Sequence, residues 1–193
     1  VDVSLLCNDE MSAPPIEAVS RDLDLPLSFA QQRLWFLDRL EPNSPFYNIP
    51  ENYRINGPLK TDILEKCINA IVERHETLRT TFHTIEGAPK LQIHSASNIK
   101  IKVSDLSTLS KQERQQKSEK ILNRNALTAI PLDQLPLFRF ELIKLSPDEH
   151  IVSLVLHHII SDNWSTQVLM REIAINYDSF VRGENSPLKP LHI

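Results

Sequence analysis

The segment that constrains the fold most is Ile151-Val152-Ser153-Leu154-Val155-Leu156, together with what comes directly after it. A strand with one wet face alternates polar and apolar residues. A run that is apolar at every position but one is what a strand covered on both faces needs. A second run, Leu137 to Leu145, precedes it, and Ser146-Pro147-Asp148-Glu149 lies between them. Turn residues between two strand-like runs predict a hairpin. The apolar strand then gives way abruptly to His157-His158-Ile159-Ile160-Ser161-Asp162-Asn163-Trp164-Ser165. A helix is expected from about Ser165 to Val181, with Val168, Leu169, Ile173, Tyr177 and Phe180 turned inward.

The remaining chain supplies the layers such a strand requires. Ser28 is a good N-cap for a helix running to about Leu40, which Pro42-Asn43-Ser44-Pro45 ends. Tyr47 to Ile55 reads as extended. Thr61 to His75 carries Ile63, Leu64, Cys67, Ile68, Ile71 and Val72 on one helical face. Strands are predicted at Leu78–Thr84 and Lys90–His94, joined as a hairpin through Glu86-Gly87-Ala88-Pro89, with a further short strand at Ile99–Val103. Ser110 with Glu113 forms a capping-box pattern that starts a polar helix reaching Leu127. Residues 1–25, with Pro14 and Pro15 and no apolar period, read as a tether. The sum is an α+β domain, helices packed on one mixed sheet.

Bulk properties narrow the function. The chain has 193 residues and a net charge of −4, which gives no reason to expect nucleic acid as a partner. The most basic stretch, Lys111 to Arg124, also holds Glu113 and Glu119 and reads as a solvated helix face. No apolar run reaches the length of a membrane span, and no signal peptide is evident. Two isolated cysteines, Cys7 and Cys67, make neither a zinc site nor a disulfide framework, and a reducing, cytoplasmic setting fits. The chain does not begin with Met and is expected to be a piece of a larger protein.

The chemistry concentrates where the buried strand leaves the sheet. Side chains alternate along a strand, so His157 and His158 should face opposite ways. Only one can enter a given cleft, where it could act as a general base or position an amine. Asp162 could accept bonds from a buried arginine and lock the loop. Taken alone, two histidines after a strand are more often a satisfied pair at a sheet edge. A zinc site is a further alternative, but the other histidines are scattered and no third ligand converges.

Three motifs in order decide between these readings. His157-His158-Ile159-Ile160-Ser161-Asp162-Asn163 resembles the His-His-x-x-x-Asp-Gly signature of condensation domains and their acyltransferase relatives. Ser28-Phe29-Ala30-Gln31-Gln32-Arg33-Leu34-Trp35-Phe36-Leu37 is similar to the first motif of that family, and Arg74-His75-Glu76-Thr77-Leu78-Arg79-Thr80-Thr81-Phe82 to the second. Pro136-Leu137-Phe138-Arg139 resembles a further family feature. The resemblance covers roughly residues 26–193. Ala13-Pro14-Pro15-Ile16-Glu17 looks like a linker from a carrier domain, and Glu41-Pro42 with Tyr47-Asn48-Ile49-Pro50 looks most like members that take an L-configured donor.

The resemblance implies the N-terminal lobe of a nonribosomal peptide synthetase condensation domain. It implies a fold similar to chloramphenicol acetyltransferase, one of two lobes forming a V with a tunnel between them. The implied reaction joins a carrier-bound aminoacyl or peptidyl thioester to the amine of a second carrier-bound aminoacyl group. The implied partners are upstream and downstream peptidyl carrier domains and the adenylation domain of the same synthetase. Phosphopantetheine arms come with the carriers, and this chain itself holds no cofactor. His158 would take or position the amine proton, with His157 and Asp162 completing the motif. An α-amine with a pKa of about 8 needs little help to be free at neutral pH, so orientation can dominate. Asp162 is expected to pair with an arginine, Arg79 first and Arg74 second. Asn163, Trp164 and Ser165 fall at the tunnel, Trp164 being expected in the core.

Two departures stand out. The family glycine after the aspartate is Asn163, which tolerates a left-handed turn better than most residues but brings a side chain to the tunnel. The later family motifs, from a C-terminal lobe, do not occur, so this length alone is expected to be inactive. A non-catalytic carrier-docking module and a trimeric free-standing acyltransferase are the competing readings.

Overall fold

A computed structural model describes residues 16–21 and 24–191 of the chain. Cys7, the Ala13-Pro14-Pro15 stretch and His192 lie outside the described residues. The elements run α1 (Phe29–Leu40), β1 (Asn48–Asn56), α2 (Thr61–Arg74), a 3-10 turn (Glu76–Arg79), β2 (Thr80–Ile85), β3 (Ala88–Ile93), β4 (Lys102–Asp105), α3 (Lys111–Leu127), β5 (Phe138–Ser146), β6 (Glu149–His157) and α4 (Asn163–Val181). The main sheet has the order β1-β6-β5-β4. Its β1–β6 and β5–β6 pairs are antiparallel and its β4–β5 pair is parallel, so it is mixed. The predicted hairpin of β2 and β3 forms a separate two-stranded sheet.

The sheet is covered on both faces, as the composition of β6 requires. Leu64, Cys67, Ile68, Ile71 and Val72 of α2 share one core with Leu169, Ile173 and Phe180 of α4 and with Leu142, Val152 and Leu154 of the sheet. Ile143, Leu145 and Ile151 form a second cluster with Leu106, packed by Ile121 and Leu122 of α3. Adjacent residues Leu142 and Ile143 therefore serve opposite layers, the period of two that a sandwiched strand imposes. Burying a leucine or isoleucine in this way stabilises the fold by about 1.5–3 kcal/mol each.

Local chemistry fixes the element ends. The two cap residues read from the sequence, Ser28 and Ser110, each form a capping box, with Gln31 and Glu113 respectively. Arg139 on β5 donates to the carbonyls of Asn125 and Thr128 at the end of α3, answering orphan acceptors there. Asn48 of β1 donates to Ala126 and Thr128 from the other side at 2.7 and 2.8 Å. The short strand lies later than the sequence indicated, because Ile101 is spent as core and the pairing with β5 begins at Lys102. No helix among the described residues is long and apolar enough to cross a membrane.

Trp164 corrects an expectation. It is 77% exposed and not in the core. It is the second residue of α4, ahead of Thr166 and Leu169, the first residues that the helix buries, so its side chain has no layer to enter.

Candidate active site

Strand β6 ends at His157, and the two histidines part company there. His157 is 1% exposed. Its Nδ1 accepts the Ile159 N–H at 3.1 Å, so a neutral ring carries its proton on Nε2. Burial, with the neighbouring His158 adding to it, pushes this imidazole down to about 4. His157 is therefore neutral at physiological pH and holds the turn from behind.

His158 is exposed. Its backbone N–H donates to the Tyr47 carbonyl at 2.8 Å, continuing the β1–β6 ladder one residue past its last pair. Its Nδ1 lies 2.8 Å from the Ser161 carbonyl oxygen. A carbonyl can only accept, so Nδ1 carries the hydrogen and the lone pair of the neutral ring sits on Nε2. No hydrogen bond among the described residues engages Nε2. The turn that delivers Ser161 is pinned by Ile159 and Ile160, both buried, and by the Ile160 N–H to His157 carbonyl bond of 3.1 Å.

A cleft of about 400 Å³ opens at this ring. Ser28, Gln31, Arg33 and Leu34 of the first motif face Tyr47, His158 and Ser161 across it. Asp162 and Ser165 also line it, whereas Asn163 and Trp164 are exposed and not among its lining residues. The first motif and the histidine motif, well over a hundred residues apart in sequence, thus share one surface.

Among the described residues Asp162 pairs with no arginine. It is the N-cap of α4, accepting from the Ser165 N–H at 2.7 Å and the Ser165 hydroxyl at 2.5 Å. Those bonds hold its carboxyl below the usual range. Arg79 instead donates to the His94 carbonyl at 2.6 Å and faces Glu76, and Arg74 donates to Glu172 at 3.2 Å. The reason is placement: both arginines belong to the end of α2 and the turn after it, whereas the Asp162 carboxylate is taken up by the first turn of α4. Asn163 is another correction. It is the first residue of α4, and left-handed φ outside glycine occurs among the described residues only at Asn43 and Glu86. The turn needs no left-handed residue there.

Sequence reasoning missed Glu172, whose carboxylate lies between Arg74 and the His75 Nε2 at 2.7 Å. Its signal was available: an acid between the inward positions Leu169 and Ile173. The Ser161 carbonyl was not readable, because any residue brings the same oxygen. Among the described residues no three His, Cys, Asp or Glu side chains gather as metal ligands.

Residues 22–193 match the model of the Condensation domain. The chain belongs to the condensation-domain family. It is 41% identical over 185 residues to a linear gramicidin synthase of Brevibacillus parabrevis, covering 96% of this chain and 4% of that protein. To the nonribosomal peptide synthetase dtxS1 of Metarhizium robertsii it is 42% identical over 168 residues, covering 86% of this chain and 2% of that protein. The first condensation domain of the calcium-dependent antibiotic synthetase superposes with a TM-score of 0.80 at 24% identity, covering 88% of this chain and 40% of that one. The starter condensation domain of rhizomide synthetase gives 0.79 at 23%, covering 86% and 40%. These likenesses establish the chloramphenicol acetyltransferase-like fold. This condensation-domain chain spans about two fifths of the solved domains and a few per cent of the synthetases it matches.

Proposed function

We propose that this chain is the N-terminal, histidine-bearing lobe of a condensation domain that forms an amide between two carrier-bound substrates. The donor is an aminoacyl or peptidyl thioester, taken in the L configuration, and the acceptor is the α-amine of a second aminoacyl thioester. Both arrive on phosphopantetheine arms of neighbouring peptidyl carrier domains loaded by adenylation domains of the same cytoplasmic synthetase. Residues 1–25 serve as the tether from the upstream carrier.

One observation carries this reading: His158 presents an unengaged Nε2 at a cleft, with its tautomer set by the Ser161 carbonyl. A neutral imidazole in that state can accept a hydrogen bond from an amine N–H, orient the nitrogen lone pair and take the proton as attack proceeds. His157, held neutral behind it, avoids placing a second positive charge beside a ring that must become cationic. The lobe by itself leaves His158 exposed, so two arms have no enclosed channel in which to meet. It is expected to form no amide alone.

The test uses the intact parent synthetase, loaded with ATP and all common L-amino acids, with carrier-bound product read by mass spectrometry. His158→Ala is expected to lower product by about 100-fold or more, as loss of a positioned acid–base group does. Full product from the variant would refute catalysis at this cleft and leave a docking role.

A further inference from the structure

The polar groups around His158 are mostly spent on the fold. Ser28 and Gln31 are used in each other's capping box. The Asp162 carboxylate and the Ser165 hydroxyl bond each other. Tyr47 differs. Its phenol oxygen has no hydrogen-bond partner among the described residues, and it is not among the buried unsatisfied atoms, so it reaches solvent.

The Tyr47 carbonyl accepts the His158 N–H at 2.8 Å, which sets the two residues side by side at the end of the β1–β6 ladder. Both line the same cleft. The Tyr47 ring is half-buried, with Phe46 edge-on at 5.3 Å between centroids and the buried His157 ring at 6.3 Å. Arg33 and the side-chain amide nitrogen of Gln31 are further cleft donors without a hydrogen-bond partner among the described residues; the Arg33 side chain is exposed and must be ordered afresh at each encounter, and the Gln31 amide is tied through its Oε1 to the cap of α1. A half-buried phenol on the same cleft as a histidine whose Nε2 is free supplies the two functions acyl transfer needs: a donor for developing negative charge and an acceptor for the amine proton.

We propose that the Tyr47 hydroxyl donates a hydrogen bond to the acyl oxygen of the donor thioester while His158 handles the amine. This rests on the amide-forming role given to His158 above. In the step, the amine nitrogen bonds to the thioester carbonyl carbon and the carbonyl π pair moves onto oxygen, where the Tyr47 O–H meets it. Collapse reforms the carbonyl and expels the arm's sulfur, and the amine proton passes through His158 Nε2 to that sulfur. Tyr47 keeps its own proton throughout, and no other reactant is needed.

The experiment measures single-turnover product formation in the intact synthetase, loaded with ATP and all common L-amino acids, for wild type, Tyr47→Phe and His158→Ala. Tyr47→Phe keeps the ring packing and is expected to lower the single-turnover rate roughly 100-fold, as removal of one oxyanion donor does. A Tyr47→Phe rate equal to wild type, alongside a crippled His158→Ala, overturns the Tyr47 assignment and leaves the proposed function standing. An active His158→Ala overturns the proposed function itself. Should the phenylalanine variant fail to fold, a ring-fluorinated tyrosine at 47 decides: a rate that follows phenol acidity supports the role, and an unchanged rate refutes it.

Discussion

Two histidines that each follow the end of an element, His75 after α2 and His158 after β6, have opposite surroundings. His75 shares the buried Glu172 carboxylate with Arg74, so its Nε2 is committed at 2.7 Å. His158 is tied through Nδ1 to a backbone carbonyl, and its Nε2 has no partner among the described residues. Both lie in stretches similar to family motifs, so residue identity alone would not separate them. What separates them is whether the fold has already consumed the ring's second nitrogen. The Glu172 cluster ties α2 to α4 and serves architecture, while the end of β6 keeps one basic nitrogen in reserve.

That contrast predicts where stability and chemistry should each respond. The largest stability effect is expected from Glu172→Ala, which leaves Arg74 a largely buried cation without its carboxylate. Breaking such a pair costs about 3–5 kcal/mol, read from urea unfolding midpoints. His158→Ala in the same assay should cost about 1 kcal/mol at most, because the ring is exposed and gives up only its bond to the Ser161 carbonyl.

Acid comes next. His157 is lowered from 6.5 to about 4 in the folded chain, so between those values the unfolded chain binds the extra proton. Its stabilising contribution is complete above 6.5 and is lost as pH falls towards 4, by about 3 kcal/mol in all. His150, also lowered by burial, adds in the same direction. Glu141 is pushed up by burial, but hydrogen bonds from Ser104 and Asn125 and the charges of Arg124 and Lys102 outweigh this and leave it lowered. Its contribution, with that of Asp162, is complete above the ordinary carboxylate range and starts to be lost as pH falls into that range, so unfolding curves between about pH 7 and about 5.5 report chiefly on the histidines. A flat profile there would contradict the burial of His157.

The smaller effects concern the first turn of α4. Asp162→Ala removes the cap and should cost about 1 kcal/mol, measured by thermal unfolding, with a larger loss of activity if the turn bearing Ser161 shifts. Trp164→Ala should be neutral within about 0.5 kcal/mol, as its exposure requires.

The sequence was most legible where a signal was local. The hairpin of β5 and β6, the Ser110 capping box and the apolar face of α2 each need only a few neighbouring residues to specify them. The opposed fates of His157 and His158 follow from the period of two. Legibility failed where partners are distant or generic. Arg74 finds Glu172 98 positions away, and nothing near Arg74 names that partner. Asp162 could as well have met an arginine as capped a helix, and the choice fell to the residue three places on, Ser165. Trp164 read as core because large aromatics usually are, yet its place at the first turn of a helix gave it nothing to pack against.

The bond from His158 to the Ser161 carbonyl has a consequence for engineering. Its acceptor is main chain, so no replacement of a side chain at 161 can delete it. The buried Ser161 side chain, its hydroxyl 3.3 Å from that of Thr166, holds the turn and does not itself set the tautomer, so a designer who wants the opposite tautomer must reshape the loop, by insertion, deletion or a residue that reroutes the peptide plane.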